Sequence, residues 1–344
     1  MKKLNIGIIG VGRIGQLHAE NILRSKTAKL KAVSDVILDH IKGSSLEKSV
    51  DYITSNYKEI ISDSEIDAVF ICSSTDTHAD IIIEAARAKK HIFCEKPISL
   101  DYIKTKNAIE VVQEEGVLLQ VGFNRRFDKH FRKAFEEVKA GTVGNPHIIK
   151  VTSRDPAPPP ESYVERSGGM FIDMTIHDFD MVRYLSGKNV TELHVHAANL
   201  VDPMFAEYDD VDTAIITITF EDGSLGVIDN SRKAVYGYDQ RIEVFGEKGV
   251  ITVANDRMTN VEISTEQSVF LDKPKYFFLD RYVDAYLNEL NEFIVSIQEN
   301  KPVLCNGEDG LQAELLAHAA KLSLKEKRTV SLAEVERELL DKVK

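Results

Sequence analysis

The stretch KLNIGIIGVGRIG, residues 3–15, decides the fold of this chain. Its first half is a short apolar run of the strand type, and its second half carries glycines at positions 10, 12 and 15 in the spacing G-x-G-x-x-G. The residues that follow are apolar at every third or fourth position, which indicates a helix. A strand, a glycine-rich turn and a helix in this order are typical of a dinucleotide-binding domain.

The three glycines have different physical reasons to be there. Gly10 permits a tight turn, Gly12 lets the backbone approach a pyrophosphate, and Gly15 lets the helix pack against the strand. The N–H groups at the start of the helix, from Arg13 and Ile14, can then bind the phosphates. The alternative is that the glycines only turn the chain.

An acidic residue at the end of the second apolar run favours cofactor binding over this alternative. The run LKAVSD ends at Asp35, twenty residues after Gly15. A carboxylate there can accept hydrogen bonds from both ribose hydroxyls of NAD. The same charge would repel the 2′-phosphate of NADP. The sequence therefore predicts NAD as the cofactor, in preference to NADP.

The alternation of short apolar runs with helix-period stretches continues to about Phe123. This pattern predicts βαβ units around a doubly wound parallel sheet, forming a first domain over residues 1–122. Beyond it, one helix is followed by several strand-like runs joined by the turn signals EDGS and GEKG. We therefore expect a second α+β domain over residues 123–344, with an antiparallel or mixed sheet.

Composition limits the classes of protein and partner. The chain has 344 residues, 43% hydrophobic and 28% charged, which fits two globular domains. Its net charge of −12 disfavours binding to nucleic acid and to anionic membranes. The three widely spaced cysteines indicate neither a disulfide framework nor a zinc site. Glycines and Arg13 interrupt any secretory segment, and no run of about 20 apolar residues follows, so we expect a cytoplasmic protein.

The third apolar run ends in small polar residues that are candidate cofactor contacts. Ser73, Ser74 and Thr75 lie where a helix carrying His78 begins. Ligands in doubly wound sheets bind outside the carboxyl ends of the strands, so these residues are expected to face the cofactor. The alternative is that they are helix caps, and Thr75 or Thr77 could serve both purposes.

The tripeptide Glu95-Lys96-Pro97 follows the apolar run HIFC. The Lys96 ammonium could hydrogen-bond a substrate oxygen and stabilise the negative charge that develops on it in the transition state. An isolated lysine before a turn is usually solvated, but its position at a strand's carboxyl end favours the catalytic role. The predicted cofactor contacts are Gly10, Gly12, Arg13, Ile14, Gly15, Asp35, Ser73, Ser74, Thr75, His78, Glu95 and Lys96.

Residues 168–187, GGMFIDMTIHDFDMVRYLSG, read as one helix with a candidate acid–base pair. On a helix Asp173 and His177 are neighbours, and Asp180 lies three residues further along the same side. A carboxylate beside an imidazole favours general-base chemistry, although such a pair is also a common structural contact. These three side chains could bind a divalent ion, but no second histidine has a convincing spacing, so no metal is predicted. His18 either approaches the dinucleotide or packs.

With these motifs in this order, the chain resembles from end to end the family of glucose-fructose oxidoreductases, inositol dehydrogenases and rhizopine-catabolism proteins. The segments QVGFNRRFD, TSRDPAPPP, SGGMFIDMTIHDFDM and AVYGYDQRIEVFG are similar to the bacterial inositol 2-dehydrogenase branch. The resemblance implies a Rossmann domain and a second domain with a large, open, mainly antiparallel sheet. It also implies a homotetramer formed through that sheet and a dissociable NAD, since the export segment of the periplasmic oxidoreductases is lacking.

The resemblance implies that Lys96 polarises the reacting hydroxyl of a polyol, that His177 is the acid–base group, and that Asp173 is its partner in proton transfer. The reaction expected is NAD-dependent oxidation of a secondary ring hydroxyl, with myo-inositol giving 2-keto-myo-inositol. Asn124 departs from the family pattern, which has methionine there. Scyllo-inositol or a monosaccharide are therefore alternative substrates. An NAD-assisted glycosidase is an alternative of another enzyme class. The implied substrate contacts are Lys96, Asn124, Arg125, Asp173, His177, Asp180, Tyr238 and Tyr286.

Overall fold

A computed structural model describes residues 3–341 and contains the parallel sheet that the sequence predicts. Its six strands are hydrogen-bonded in the order β3-β2-β1-β4-β5-β6, and every neighbouring pair is parallel. This is the strand order of dinucleotide-binding domains. The strands are β1 (Leu4–Ile9), β2 (Ala28–Ser34), β3 (Tyr52–Thr54), β4 (Ala68–Ile71), β5 (His91–Cys94) and β6 (Leu119–Val121).

Helices connect these strands. The last four of the six residues of β1 are buried, as expected for a parallel sheet covered on both faces. Asp101 and Asn56 each begin a helix by accepting hydrogen bonds from its first N–H groups. The helices are α1 (Arg13–Arg24), α2 (Tyr57–Ser62), α3 (Thr75–Arg87) and α4 (Tyr102–Glu115), with short 3₁₀ helices at Glu47–Ser49 and Asn124–Phe127.

The second sheet has seven strands in the order β12-β11-β7-β10-β9-β8-β15. All of its neighbours are antiparallel except β7 and β10, so the mainly antiparallel sheet that the sequence predicts is confirmed. In β9 buried residues alternate with more exposed ones, as in a sheet with one face against a core. The strands are β7 (Pro146–Arg154), β8 (Val190–Ala198), β9 (Thr213–Phe220), β10 (Leu225–Ser231), β11 (Asp239–Gly246), β12 (Gly249–Val253) and β15 (Val330–Ser331).

The remaining elements are a small exposed hairpin and nine helices within residues 3–341. The hairpin is formed by β13 (Glu262–Ser264) and β14 (Val269–Leu271). The helices are α5 (Lys129–Lys139), α6 (Glu161–Ser167), α7 (Met170–Asp173), α8 (Ile176–Ser186), α9 (Met204–Glu207), α10 (Phe278–Arg281), α11 (Val283–Glu299), α12 (Gly307–Glu326) and α13 (Leu332–Asp341).

The chain divides into two compact units. The first comprises Met1–Phe127 and Asp284–Gln312, and the second comprises Asp128–Val283 and Ala313–Lys344. This division differs from the sequence-based boundary between residues 122 and 123, because a late segment returns to the first unit. The reason is apolar burial, since α11 contributes Leu290, Phe293 and Ile294 to the core around β1.

The helix expected over residues 168–187 is interrupted, which corrects the sequence prediction. α7 ends at Asp173 and α8 begins at Ile176, so Asp173 and His177 belong to different helices. The Thr175 hydroxyl donates to Asn230 Oδ1 at 2.6 Å, and the Asn230 amide donates to Asp178 Oδ2 at 2.8 Å. These buried hydrogen bonds hold the break against β10, because leaving such groups unpaired would cost stability.

In the part of the chain that the structure describes, no helix has both the length and the apolar character required to cross a bilayer.

Candidate functional site

The glycine-rich turn lies at the carboxyl end of β1, and its three glycines have different surroundings. A Cβ atom on Gly10, which has φ +90°, would lie 2.4 Å from the Ser73 nitrogen, and one on Gly15 would lie 2.1 Å from the Gly10 oxygen. Both positions therefore require glycine for packing. A Cβ atom on Gly12 would meet nothing within 4 Å, so the backbone is accessible there. The turn fits a pyrophosphate group at Gly12.

Asp35 lies beside this turn. Its Oδ2 accepts a hydrogen bond from the Val11 N–H at 2.8 Å, and its Oδ1 accepts one from the Ile37 N–H at 3.0 Å. Each carboxylate oxygen has a further lone pair. The half-buried carboxylate is therefore oriented by the backbone and retains the capacity to accept hydrogen bonds from ribose hydroxyls.

The start of α1 also fits a phosphate group. Gly12 is the N-cap residue and has no side chain to cap the helix. The Gln16 N–H donates to the Gly12 oxygen at 2.9 Å, so the preceding N–H groups of Arg13 and Ile14 have no partner within the helix. These groups and the helix dipole favour an anion at this end.

The turn between β4 and α3 carries several hydroxyl side chains. α3 begins at Thr75, and Ser74 is the N-cap residue but makes no side-chain capping bond. The hydroxyls of Ser73 and Thr77 are 2.7 Å apart, and the Thr77 hydroxyl donates to the Ser74 oxygen at 2.7 Å. The side chains of Ser74 and Thr75 are therefore not used as helix caps, which was the alternative role considered for this turn.

His78, a predicted cofactor contact, is buried and linked to two neighbouring turns. Its Nδ1 lies 2.9 Å from the Pro97 oxygen, and its Nε2 lies 3.0 Å from the Ser73 oxygen. These contacts connect the turn after β4 with the turn after β5. The side chain thus orders the backbone at this edge of the sheet.

Lys96 and two predicted substrate contacts follow adjacent strands of the first unit. Lys96 comes after β5, is half-buried, and precedes Pro97 through a cis peptide bond. Asn124 and Arg125 come after β6, in a 3₁₀ helix, and are both buried. Because β5 and β6 are parallel neighbours, these residues lie at the same edge of the sheet. Tyr286, buried on α11, belongs to the same unit.

Glu95 makes a contact that the sequence did not suggest. Its Oε1 lies 2.8 Å from Nε2 of His18, a fully buried residue of α1. Glu289 of α11 is also fully buried, with its Oε1 3.9 Å from the same nitrogen. His18 therefore packs inside the unit. A glutamate on the apolar stripe formed by Tyr286 and Phe293 was the available sequence signal for Glu289.

In the second unit Asp173 is held by two residues that sequence reasoning missed. Its Oδ1 accepts a hydrogen bond from the Tyr163 hydroxyl at 2.7 Å, and its Oδ2 accepts one from Arg232 Nη2 at 3.1 Å. Arg232 also donates to Asp155 at 3.1 Å and is only 3% exposed. The sequence signal for this residue was weak, being an arginine just after the polar end of β10.

The electrostatics of this group favour an ionised Asp173. Burial opposes the charge of Arg232, but Asp173 and Asp155 outweigh it and raise the pKa of Arg232 above its ordinary value. Partial burial and the charge of Asp173 likewise raise the pKa of Tyr163, so its hydroxyl remains a donor. A buried arginine with two carboxylates and a tyrosine donor stabilises negative charge on Asp173.

The other predicted residues of the second unit lie on α8 and before β11. His177 is half-buried and Asp180 is fully buried, and their spacing of three residues on α8 puts them on one side of the helix. Tyr238 is 8% exposed, and its ring is nearly perpendicular to that of Tyr282, with centroids 6.0 Å apart. The second unit therefore contains the predicted acid–base residues, Asp173 and His177, and two further predicted polyol contacts, Asp180 and Tyr238.

Family models match both parts of the chain. Residues 4–123 match a model described as "Oxidoreductase family, NAD-binding Rossmann fold". Residues 136–332 match one described as "Oxidoreductase family, C-terminal alpha/beta domain". The second match alone covers more than half of the chain.

Similar proteins match over nearly the whole chain. An uncharacterized oxidoreductase, YrbE, of Bacillus subtilis (strain 168) is 53% identical over 98% of both chains. A myo-inositol 2-dehydrogenase of Thermotoga maritima is 50% identical over 96% of this chain and 99% of its own. A crystal structure of a scyllo-inositol dehydrogenase from Lactobacillus casei, with bound NAD(H) and scyllo-inositol, has a TM-score of 0.90 at 31% identity, covering 96% of this chain and 100% of that one.

The glycine environments predict opposite effects of two alanine substitutions. Gly12→Ala should weaken NADH binding by at least about tenfold with little change in thermal stability, because its Cβ occupies space needed only by the ligand. Gly10→Ala should lower the melting temperature, because its Cβ meets backbone atoms. NADH fluorescence titration and thermal unfolding measure the two effects. Parallel loss of binding and stability in both variants would contradict this assignment.

The contacts of Arg232 predict a large loss of stability when its charge is removed. Arg232→Met should lower the free energy of unfolding by about 3 kcal/mol, because Asp155 and Asp173 lose their shared cation. Arg232→Lys should recover part of the loss. Urea unfolding followed by circular dichroism measures these changes, with the exposed Arg87→Met as the control. A loss in Arg232→Met no larger than in the control would contradict the assigned charge pairing.

Proposed function

The chain belongs to the oxidoreductase family of glucose-fructose oxidoreductases, inositol dehydrogenases and rhizopine-catabolism proteins, as the sequence predicts, and from this we propose that it oxidises myo-inositol to 2-keto-myo-inositol with NAD. The observation that carries the proposal is the 50% identity to a myo-inositol 2-dehydrogenase over 96% of this chain. The polar residues of both units support it, since they include candidate groups for hydride and proton chemistry.

The cofactor is NAD, and the glycine-rich turn is its proposed phosphate site. When bound, NAD accepts the hydride from the carbon that bears the reacting hydroxyl. We propose that the backbone at Gly12 and the N–H groups of Arg13 and Ile14 bind the phosphates. Asp35 would bind the ribose hydroxyls and, through its charge, favour NAD over NADP.

We assign proton transfer to His177. Its imidazole would remove the proton of the reacting hydroxyl, since neutral histidine is an effective base near neutral pH. Asp173 would orient the imidazole and stabilise its charged form. The contacts that Asp173 receives from Tyr163 and Arg232 support this role, because they favour an ionised and fixed carboxylate.

We assign polarisation of the hydroxyl to Lys96. Its ammonium would donate a hydrogen bond to the reacting oxygen and stabilise its negative charge as the proton leaves. Further polar side chains would bind the remaining hydroxyls, and a site that pairs each hydroxyl rejects analogues that lack one. The proposed residues are Asn124, Arg125, Asp180, Tyr238 and Tyr286.

A second candidate substrate is scyllo-inositol. The observation in its favour is the similarity to the Lactobacillus casei enzyme, whose structure contains this inositol isomer. Asn124 could shift the preference, because an amide binds a hydroxyl where the methionine of the family pattern cannot.

We further propose that the protein acts in the cytoplasm as a homotetramer. The outer face of the seven-stranded sheet supports self-association, because several large apolar side chains on it are exposed. They are Ile215, Leu225, Phe245 and Val250. A monomer in sedimentation equilibrium at micromolar concentration would overturn the proposed assembly.

A substrate panel tests the proposed reaction. Purified protein is incubated with NAD or NADP and with myo-inositol, scyllo-inositol or hexoses, and the reduced cofactor is followed by absorbance. We expect the highest kcat/KM for myo-inositol with NAD. A higher kcat/KM for scyllo-inositol would make that isomer the substrate in place of myo-inositol. Steady accumulation of NADH would exclude the NAD-assisted glycosidase, because that chemistry returns its hydride in each cycle.

A variant of His177 tests the proton-transfer step. His177→Ala should lower kcat by about a thousandfold, because general-base catalysis is lost, while the NADH dissociation constant changes less than about twofold. His147→Ala, an exposed histidine on β7, is the control. Normal turnover of His177→Ala at neutral pH would contradict the assignment.

A further inference from the structure

His18, Glu95 and Glu289 form a buried cluster in the first unit, which we call the H18 cluster. His18 lies on α1, three residues after Gly15, and Glu95 directly precedes Lys96. Glu289 lies on α11, three residues after Tyr286. One nitrogen, His18 Nε2, is 2.8 Å from Glu95 Oε1 and 3.9 Å from Glu289 Oε1. Three elements that carry proposed functional residues therefore meet at one titratable cluster.

The surroundings of the cluster are apolar. The rings of Phe93, Phe70 and Tyr286 contact the imidazole of His18, with centroids 4.9, 5.4 and 5.8 Å away. The side chains of His18 and Glu289 are 0% exposed. No lysine or arginine among the described residues forms an ion pair with Glu289, whose two carboxyl oxygens also have no hydrogen-bond partner there.

These contacts decide which groups of the cluster hold a proton. His18 Nδ1 is buried without a hydrogen-bond partner among residues 3–341, so a proton on it would be an unsatisfied donor. The neutral imidazole with its proton on Nε2 avoids this cost and donates to Glu95. A charge on Glu289 would be buried near that of Glu95 without a cation, which is strongly unfavourable.

Titratable neighbours do not supply the missing cation. The titratable groups close to Glu289 are His18 from α1, Glu95 from the end of β5 and the Cys72 thiol from the end of β4, while the ring of Tyr286 on α11 lies against His18. Burial, and then the charge of Glu95, raise the pKa of Glu289 well above its usual range. Burial also raises the pKa of the Cys72 thiol, which therefore stays neutral.

We propose that the H18 cluster is a positioning device, in which neutral His18 donates to ionised Glu95, Glu289 is a neutral carboxylic acid, and the fixed Glu95 holds Lys96 in place for catalysis. The assigned protonation states stand independently of the reaction. The positioning of Lys96 rests on the proposed function.

The backbone around Glu95 supports positioning. The Glu95 N–H donates to the Ile71 oxygen at 2.9 Å, which continues the pairing of β5 with β4. Its carboxylate packs against the backbone of Gly122, where an added Cβ would lie 3.0 Å from Oε2. The residue before Lys96 is thus fixed by its main chain and by its side chain, and His18 supplies the hydrogen bond that orients the carboxylate.

A divalent metal ion is the competing occupant of the cluster. Its three potential ligand atoms lie within 4.8 Å of one another. However, the 2.8 Å between His18 Nε2 and Glu95 Oε1 is a hydrogen-bond length, whereas two ligands of one tetrahedral zinc ion are about 3.3 Å apart. The observed geometry therefore favours a shared proton.

The first experiment measures thermal stability against pH for Glu289→Gln, which resembles the neutral acid. The pKa of Glu289 is raised in the folded protein and is about 4.3 in the unfolded chain. Below about pH 4.3 the group is protonated in both states, and its contribution to stability is fully present. This contribution is lost as the pH rises toward and through the raised pKa of the folded protein. The variant should therefore melt about 5 °C above the wild type at pH 8, with the difference vanishing near pH 4. Glu114→Gln, exposed on α4, is the control and should show no such trend.

Two outcomes would overturn the protonation states. One is a lower melting temperature of Glu289→Gln than of wild type at pH 8. The other is a saturable rise in the wild-type melting temperature with Zn²⁺ or Mn²⁺ that Glu289→Gln abolishes, which would make the cluster a metal site. The proposal predicts that neither these ions nor EDTA shifts the melting temperature through Glu289.

The second experiment tests positioning with two variants of His18. His18→Leu removes the donor to Glu95 and should lower kcat for polyol oxidation about tenfold or more, the rate equivalent of one hydrogen bond to a charged group. His18→Gln retains a side-chain N–H and should recover most of the loss. The NAD dissociation constant should change less than about twofold in both, because the substituted residue, His18, is fully buried inside the unit.

Measuring kcat and the NAD dissociation constant together distinguishes an effect of His18 on Lys96 from a general structural effect. An unchanged kcat in His18→Leu, or an equal loss in both variants with weakened NAD binding, would overturn the positioning of Lys96. If wild-type protein oxidises no polyol, the proposed function fails and the positioning claim fails with it. The pH dependence of Glu289→Gln would still decide the protonation states.

Discussion

The contact between two backbone turns at Gly10 is the constraint on which the cofactor end of the parallel sheet depends. Any Cβ at this position would lie 2.4 Å from the backbone of Ser73. The turn after β1 can therefore pack against the turn after β4 only with glycine there. This packing sets the position of Gly12, whose side-chain space is open, and of Val11, whose N–H orients Asp35. The same edge of the sheet carries the turns that precede α3 and follow β5.

A second constraint is the cost of burying a charged carboxylate. Asp173 in the second unit and Glu289 in the first avoid this cost in different ways. In the second unit Arg232 and Tyr163 donate hydrogen bonds to Asp173, which favours its charged form. In the first unit Glu289 has no such donor within the described residues and is a neutral acid. The chemistry of each carboxyl group therefore follows from its donors, because an unpaired buried charge is far more costly than a paired one.

Local patterns made the first sheet, its glycine-rich turn and the proximity of Asp35 predictable from the sequence. These features lie within a few strands of one another and follow from strand, turn and helix periodicity. The interruption at Thr175 was not predictable, because the side chain that hydrogen-bonds Thr175 there, Asn230, is 55 residues away in the sequence. The roles of Arg232 and Glu289 were missed for the same reason, since their partners are distant in sequence.

The reaction that we propose for this protein transfers a hydride from a ring carbon of a cyclic polyol to NAD. Oxidation of myo-inositol deuterated at C2 tests it most directly, with mass spectrometry of the reduced cofactor and comparison of the rate with unlabelled substrate. We expect deuterium in NADH, a slower reaction than with unlabelled myo-inositol, and 2-keto-myo-inositol as the product. Reduced cofactor without deuterium, or no reduction of NAD at all, would contradict it.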